Sequence, residues 1–195
     1  ELIKDPDYDV SELIKAPDFI GGGQIIYNRE EMLNVINNGR GSIKVRAKYS
    51  YDKSNNCIDI TEIPPTTTAE AVIDKIIEKF KAGTLKEISD VRDETDKSGL
   101  KITIDLKRGV DPDKLMLKLY RQTPLEDTFS CNFNVLIAGM PQVLGVKALL
   151  AEWIAFRTEC VRRRTYYDLQ KCKDRLHLLR GLQKILLDID RAISI

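Results

Sequence analysis

The chain is poor in residues that do chemistry on their own. It has one histidine, His177, and four cysteines, Cys57, Cys131, Cys160 and Cys172, with no CxxC pair among them. That supply excludes a zinc set and fits a reducing compartment, so a cytoplasmic protein is expected. Aromatics make up only 7% of the residues, and the 11 Gly and 7 Pro gather in no linker-like run, which excludes disorder for the chain as a whole. No apolar stretch approaches the roughly 20 residues of a membrane span, and no charged, apolar, small-residue leader opens the chain. Neither membrane insertion nor secretion is expected.

An excess of either charge is also lacking, since 31 Lys and Arg face 30 Asp and Glu. The balance conceals segregation. Residues 146–195 hold eleven Lys and Arg against six Asp and Glu, while the other 145 residues hold 20 against 24. Within that acidic part Arg40, Lys44, Arg46, Lys48 and Lys53 stand together with only Asp52 opposing them. Such segregation marks an anionic partner more clearly than a net total does.

Two lengths of chain read differently. From Val146 to Ile195 there is no Pro and one Gly, Gly181, while Leu149, Leu150, Trp153, Ile154, Val161, Leu169, Leu176, Leu179, Leu182, Leu186, Ile189 and Ile193 recur at helical spacing. Fifty helical residues extend about 75 Å, so one or two long helices are expected, with an apolar stripe that needs a partner helix. The chain starts on Glu1 and stops at Ile195 without a capping Gly or a closing Pro; the expectation is a piece of a larger protein.

Before that stalk, Gln24 to Tyr27 reads as a short strand and Glu30 to Asn38 as a short helix, with Gly39 as a left-handed C-cap. Ile43, Val45, Ala47 and Tyr49 then alternate with Lys44, Arg46 and Lys48, predicting one strand from Ser42 to Tyr49 with a core face and a cationic face. Cys57 to Ile63 is its antiparallel return after a turn at 52–56. Thr67 to Glu70 has the form of a capping box ahead of the helical positions Val72, Ile73, Ile76, Ile77 and Phe80. Leu100 to Leu106 alternates as a strand, and Asp111-Pro112 opens another helix. The class is α+β: an antiparallel sheet with helices packed on one side, followed by long coiled-coil helices.

Few constellations carry chemistry. Strand positions two apart lie about 6.6 Å from each other, so Lys44, Arg46 and Lys48 are spaced to follow a nucleic-acid backbone, with Arg40 extending the row; a solvated sheet face is the plain alternative. Arg162-Arg163-Arg164 fan around a helix and read as coiled-coil surface charge, and Tyr166 and Tyr167 lack an activating base. Glu87, Asp90, Asp93, Glu94 and Asp96 read as an acidic loop or as partners for Arg92. Gly21-Gly22-Gly23 precedes a strand and is no phosphate-cradling loop. His177 falls within the stalk pattern. No catalytic triad, acid pair or metal set is present.

Ordered landmarks add a resemblance. Ala16-Pro17-Asp18-Phe19 with Gly22-Gly23, Gly39-Arg40-Gly41 with Arg46, Thr61-Glu62-Ile63-Pro64, and Arg92-Asp93-Glu94-Thr95-Asp96 with Gly99 come first. Leu119-Tyr120 with Gln122-Thr123 and Leu125, Asn132 with Gly139, and Arg163-Arg164-Thr165 with Leu169 follow. In this order they resemble the A subunit of bacterial type IIA topoisomerases, gyrase or topoisomerase IV, over essentially the whole chain. The departures are Pro65, where the family has an aromatic, and an Ala138 to Val143 segment less polar than usual.

The resemblance implies a tower domain over residues 1–142 and the start of a coiled coil over 143–195. In that family the A subunit dimerises and cuts a gate DNA through a tyrosine in a winged-helix domain, while an ATPase B subunit drives a second duplex through the break. The tower holds the arm of the gate DNA by its backbone. The implied DNA-binding residues are therefore Arg40, Lys44, Arg46 and Lys48, with no catalytic residue and no metal site here, and with Mg²⁺ and ATP on the partner subunit. Tyr166 and Tyr167 do not inherit the cutting role. The competing expectation is a coiled-coil module that binds a protein and has no nucleic-acid role; RNA binding ranks below both, for want of aromatic platforms on the basic strand.

Overall fold

The structure, a computed structural model, describes residues 1–187, 189, 193 and 194. The parts of the expected stalk at residues 188, 190–192 and 195, Arg191 among them, lie outside the described residues. Residues 9–147 form one compact unit, and residues 1–8 group with those from 148 onward as a second.

In the first unit a short 3-10 turn, Val10–Glu12, precedes β1 (Gln24–Ile26), α1 (Arg29–Asn38), β2 (Arg40–Arg46), β3 (Lys48–Asp52), β4 (Cys57–Glu62) and α2 (Ala69–Lys81). There follow β5 (Ile88–Asp93), β6 (Ile102–Leu106), α3 (Pro112–Gln122), β7 (Glu126–Asn132), β8 (Asn134–Ile137) and β9 (Met140–Val143). Every strand pairing is antiparallel, as expected, but the strands divide among three sheets, ordered β1-β2-β7, β3-β4-β6-β5 and β8-β9.

Local chemistry sets the helix ends. The Asn28 side chain accepts the N–H of Glu30 to open α1, and Gly39 closes it at φ 70°, the left-handed conformation a Cβ disfavours. Asp111 accepts the N–H groups of Asp113 and Lys114, with Pro112 in the first turn of α3. In α2 the cap is Thr68, whose hydroxyl accepts from Ala71, and not Thr67; Glu70 thus falls at the second helical position and the expected box does not form.

The main core lies between the four-stranded sheet and its helices. Ile58, Ile60, Ile102 and Ile104 meet Val72 and Ile76 of α2 and Leu115, Met116 and Leu119 of α3, all buried. At about 1.5–3 kcal/mol for each fully buried aliphatic side chain, this cluster is the main favourable contribution to the unit's stability. A second apolar layer joins Met32, Val35 and Ile36 of α1, also buried, to β2, where Ile43 and Val45 are buried.

Two expectations give way. The single strand from Ser42 to Tyr49 breaks at Ala47. Its N–H donates to the Leu125 carbonyl at 2.7 Å and its own carbonyl accepts from the Tyr120 hydroxyl at 2.9 Å, so both groups leave the ladder and the chain passes from one sheet to the next. The acidic stretch is no loop over Ile88–Asp93: it is β5, an edge strand. Its Arg92 does make the ion pairs expected of it, to Asp105 at 3.1 Å and Glu94 at 3.6 Å.

The helix α4 (Val146–Leu187) runs unbroken through Gly181 and has no buried residue. Most of its apolar residues are exposed, Trp153 by 58% and Leu186 by 68%, while Val146, Leu149, Leu150 and Ile154 are half-buried. No described helix is long and apolar enough to cross a membrane.

Candidate nucleic-acid interface

The β2 strand is the centre of the three-stranded sheet, flanked by β1 and β7. Its odd positions face α1: Gly41 sits so close to Val35 that a Cβ there would strike that side chain, and Ile43 and Val45 are buried. Its even positions, Arg40, Ser42, Lys44 and Arg46, face the other way. Directly opposed residues in an antiparallel pair share a face. The register therefore adds Asn132, Ser130, Thr128 and Glu126 from β7 and Ile26 and Gln24 from β1.

Backbone geometry fixes one end of this face and side-chain contacts the other. At the Arg40 end, the Gly39 carbonyl accepts from Phe133 N–H at 2.8 Å, and a Cβ on Gly39 would collide with the Leu144 carbonyl. Only glycine fits there, which places Arg40 at a fixed corner. At the Arg46 end, the guanidinium Nε–H donates to Glu126 at 2.5 Å and the group lies 5.0 Å from the centre of the Tyr120 ring. Burial pushes the Tyr120 phenol above its ordinary pKa, with the Arg46 charge pulling the other way.

The four candidate cations thus fall into two kinds. Arg46 is paired with Glu126. Lys48 lies on β3, beyond the break, and its ammonium meets Glu62 at 2.9 Å. The Glu62 carboxylate also accepts the Gly23 N–H at 2.6 Å; that bond first, then Lys48, holds its pKa below the ordinary 4.5. Arg40 and Lys44 are exposed and, among the described residues, have no carboxylate partner. Two free cations on a rigid sheet, ringed by hydroxyl and amide groups, suit phosphate and sugar oxygens and offer nothing that reads base identity.

Thr128, Ser130, Asn132 and Gln24 escape sequence reasoning. Thr128, Ser130 and Asn132 lie on β7, a mostly polar strand far from β2 in the chain, and Gln24 on β1; only the register brings them alongside. Nothing on this face is arranged for bond making. Among the described residues no group of His, Cys, Asp or Glu is placed to hold a metal ion. Tyr166 and Tyr167 stand exposed on α4, with no hydrogen bond to either phenol among the described residues and Lys171 5.7 Å from the Tyr167 ring centre.

Comparison with known proteins assigns the family. The family model for the A subunit of DNA gyrase/topoisomerase IV matches residues 1–195. The chain belongs to the DNA gyrase/topoisomerase IV A subunit family. It is 38% identical over 191 residues to the DNA gyrase A subunit of Borrelia hermsii, covering 96% of this chain and 24% of that protein. It is 37% identical over 202 residues to the chloroplastic/mitochondrial DNA gyrase A subunit of Arabidopsis thaliana, covering 100% of this chain and 21% of that protein. The Clostridium acetobutylicum DNA gyrase A subunit is also 37% identical, over 200 residues, covering 100% of this chain and 24% of that protein. The chain spans about a quarter of the length of these relatives. The landmark residues of the family now have places: Gly39-Arg40-Gly41 forms the corner between α1 and β2, and Thr61-Glu62 ends β4 with Ile63-Pro64 just beyond it.

Proposed function

We propose that this chain is the part of a type IIA DNA topoisomerase A subunit that holds the arm of the gate duplex by its sugar-phosphate backbone. The candidate row is Arg40, Lys44, Arg46 and Lys48; the proposed grip falls to the unpaired Arg40 and Lys44, with Arg46 and Lys48 tied to Glu126 and Glu62. The observation that carries the reading is the unpaired state of Arg40 and Lys44 on an exposed sheet face whose other two charges, Arg46 and Glu126, pair with each other, in a family whose relatives are named as the A subunit of DNA gyrase. Counterion release from such a pair gives sequence-independent and salt-sensitive binding. A rigid sheet serves this role because the arm must keep its direction while the duplex is cut and rejoined elsewhere in the parent protein.

On this reading the parent protein changes DNA topology by double-strand passage, acts in the cytoplasm as a dimer of A subunits with an ATPase B subunit, and takes Mg²⁺ and ATP on that partner. The residues here position DNA and transfer no group. A second reading, a protein-binding module, draws on α4, most of whose apolar residues from Trp153 onward are exposed.

The test is a titration of a labelled duplex of arbitrary sequence at low salt. Binding that falls when Arg40 and Lys44 are both changed to Ala supports the proposal, and no binding at low salt favours the second reading. The pure chain with ATP and Mg²⁺ is expected to leave a supercoiled plasmid unrelaxed; relaxation would overturn the assignment.

A further inference from the structure

The exposed face of the three-stranded sheet is uneven in charge. Its strand positions are Gln24 and Ile26 on β1, Arg40, Ser42, Lys44 and Arg46 on β2, and Glu126, Thr128, Ser130 and Asn132 on β7. Glu126 is the single carboxylate among them, and it sits directly opposite Arg46. The pair is not sealed from water, since the two side chains keep 38% and 23% of their surface exposed. At the other end, Arg40 faces Asn132, Ser42 faces Ser130 and Lys44 faces Thr128, so each cation opposes a neutral polar group.

A phosphate arriving at Arg46 meets Glu126 already bound to Nε. It must displace that carboxylate or sit beside a like charge, and either choice removes most of what the cation offers. The guanidinium is nonetheless in position for an anion. It lies over the Tyr120 ring, and the Tyr120 hydroxyl is itself anchored on the Ala47 carbonyl. Its two terminal nitrogens make no hydrogen bond among the described residues.

We infer that Glu126 is an internal rival of phosphate for Arg46. It keeps Arg46 out of the gripping set, so that the duplex backbone is held by Arg40 and Lys44 together with the hydroxyls of Ser42, Thr128 and Ser130. The consequence is a grip of limited strength at the Arg46 end, suited to an arm that must be released. This inference rests on the backbone-binding reading above and adds to it which residues bind and which one restrains binding.

The experiment is duplex binding by the full chain, wild type against Glu126→Gln, followed across a salt series. The amide keeps the size of the carboxylate and loses its charge. Affinity should rise about three- to tenfold at low salt, and the slope of log K against log salt should steepen by about 0.9, the value of one added phosphate contact. Arg46→Ala should change wild-type affinity by less than about twofold, yet should erase the gain when added to Glu126→Gln.

Thermal melting and circular dichroism of each variant report folding separately. Wild-type binding with no gain in a folded Glu126→Gln chain overturns the inference and leaves the backbone reading standing. A tenfold loss from Arg46→Ala in the wild type also overturns it, and does not depend on how well the Gln variant folds. No binding by either chain at low salt overturns the backbone reading and the inference with it.

Discussion

Lys48 and Glu62 face each other across the β3–β4 hairpin, with 2.9 Å between ammonium and carboxylate, and the other carboxylate oxygen takes the Gly23 N–H. One carboxylate therefore ties the glycine turn before β1 to the start of β3. Its pKa is held below the ordinary value, the Gly23 bond contributing most and Lys48 next. A carboxyl that is more acidic in the folded chain stabilises folding above its unfolded pKa, and that stability is lost as pH falls through the folded value. Glu62→Gln should cost about 1 kcal/mol at pH 7, the size expected for a partly exposed charged hydrogen bond. Urea unfolding of the variant should also show a weaker loss of stability below about pH 4.5 than the wild type.

Tyr49 gives the opposite pH signature. Its hydroxyl donates to Asp113 at 2.7 Å, and burial first, then that bond to a carboxylate, pushes its pKa up to about 12. The folded chain keeps the phenol proton where the unfolded chain releases it. The contribution is complete below the unfolded value of 10.0 and is lost as pH rises towards 12. Tyr49→Phe should flatten that alkaline decline, which spectrophotometric titration alongside chemical denaturation measures; an unchanged decline would assign it to other groups.

Gly39 is the most constrained glycine near the interface. It has φ 70°, and a Cβ there would run into the Leu144 carbonyl. Gly109 also has a positive φ, 79°, but open space around it. Gly39→Ala should cost well over the roughly 1–2 kcal/mol of a left-handed alanine, and Gly109→Ala only about that amount. The first should also weaken DNA binding by moving Arg40, and equal costs in thermal melting would contradict the clash.

Cys57 and Cys131 are buried, and burial raises both thiol pKa values. Cys172 is exposed and Cys160 half-buried on α4. A colorimetric thiol reagent at neutral pH should modify Cys172 and Cys160 quickly, and the other pair only at the rate of unfolding. Four fast thiols would contradict the packing of β4 and β7.

Legibility in the sequence follows physical range. Asp111-Pro112 and Gly39 act on their own neighbours, and both are readable because a cap needs only local residue types. The alternation from Ile43 to Tyr49 is readable too, but the sheet change at Ala47 is not. Side-chain parity runs straight through the break, and what changes is the partner of Ala47, set by Leu125 and Tyr120 far along the chain. β5 is hidden because Asp90 and Asp93 carry charges typical of a loop, and β7 because only Phe129 and Cys131 alternate in it as apolar positions. For the interface, the cations can be named from their spacing. Their states cannot, since Glu126 is 80 residues from Arg46 and Glu62 lies across a turn from Lys48.

The most direct test of backbone binding is the salt dependence of duplex affinity for the wild-type chain and for the Arg40→Ala, Lys44→Ala double variant. Two phosphate contacts correspond to a slope in log K against log salt of about 1.8. The wild-type slope should fall by about that much in the double variant, with duplexes of unrelated sequence behaving alike. Identical slopes and affinities for the two chains would contradict a grip by Arg40 and Lys44.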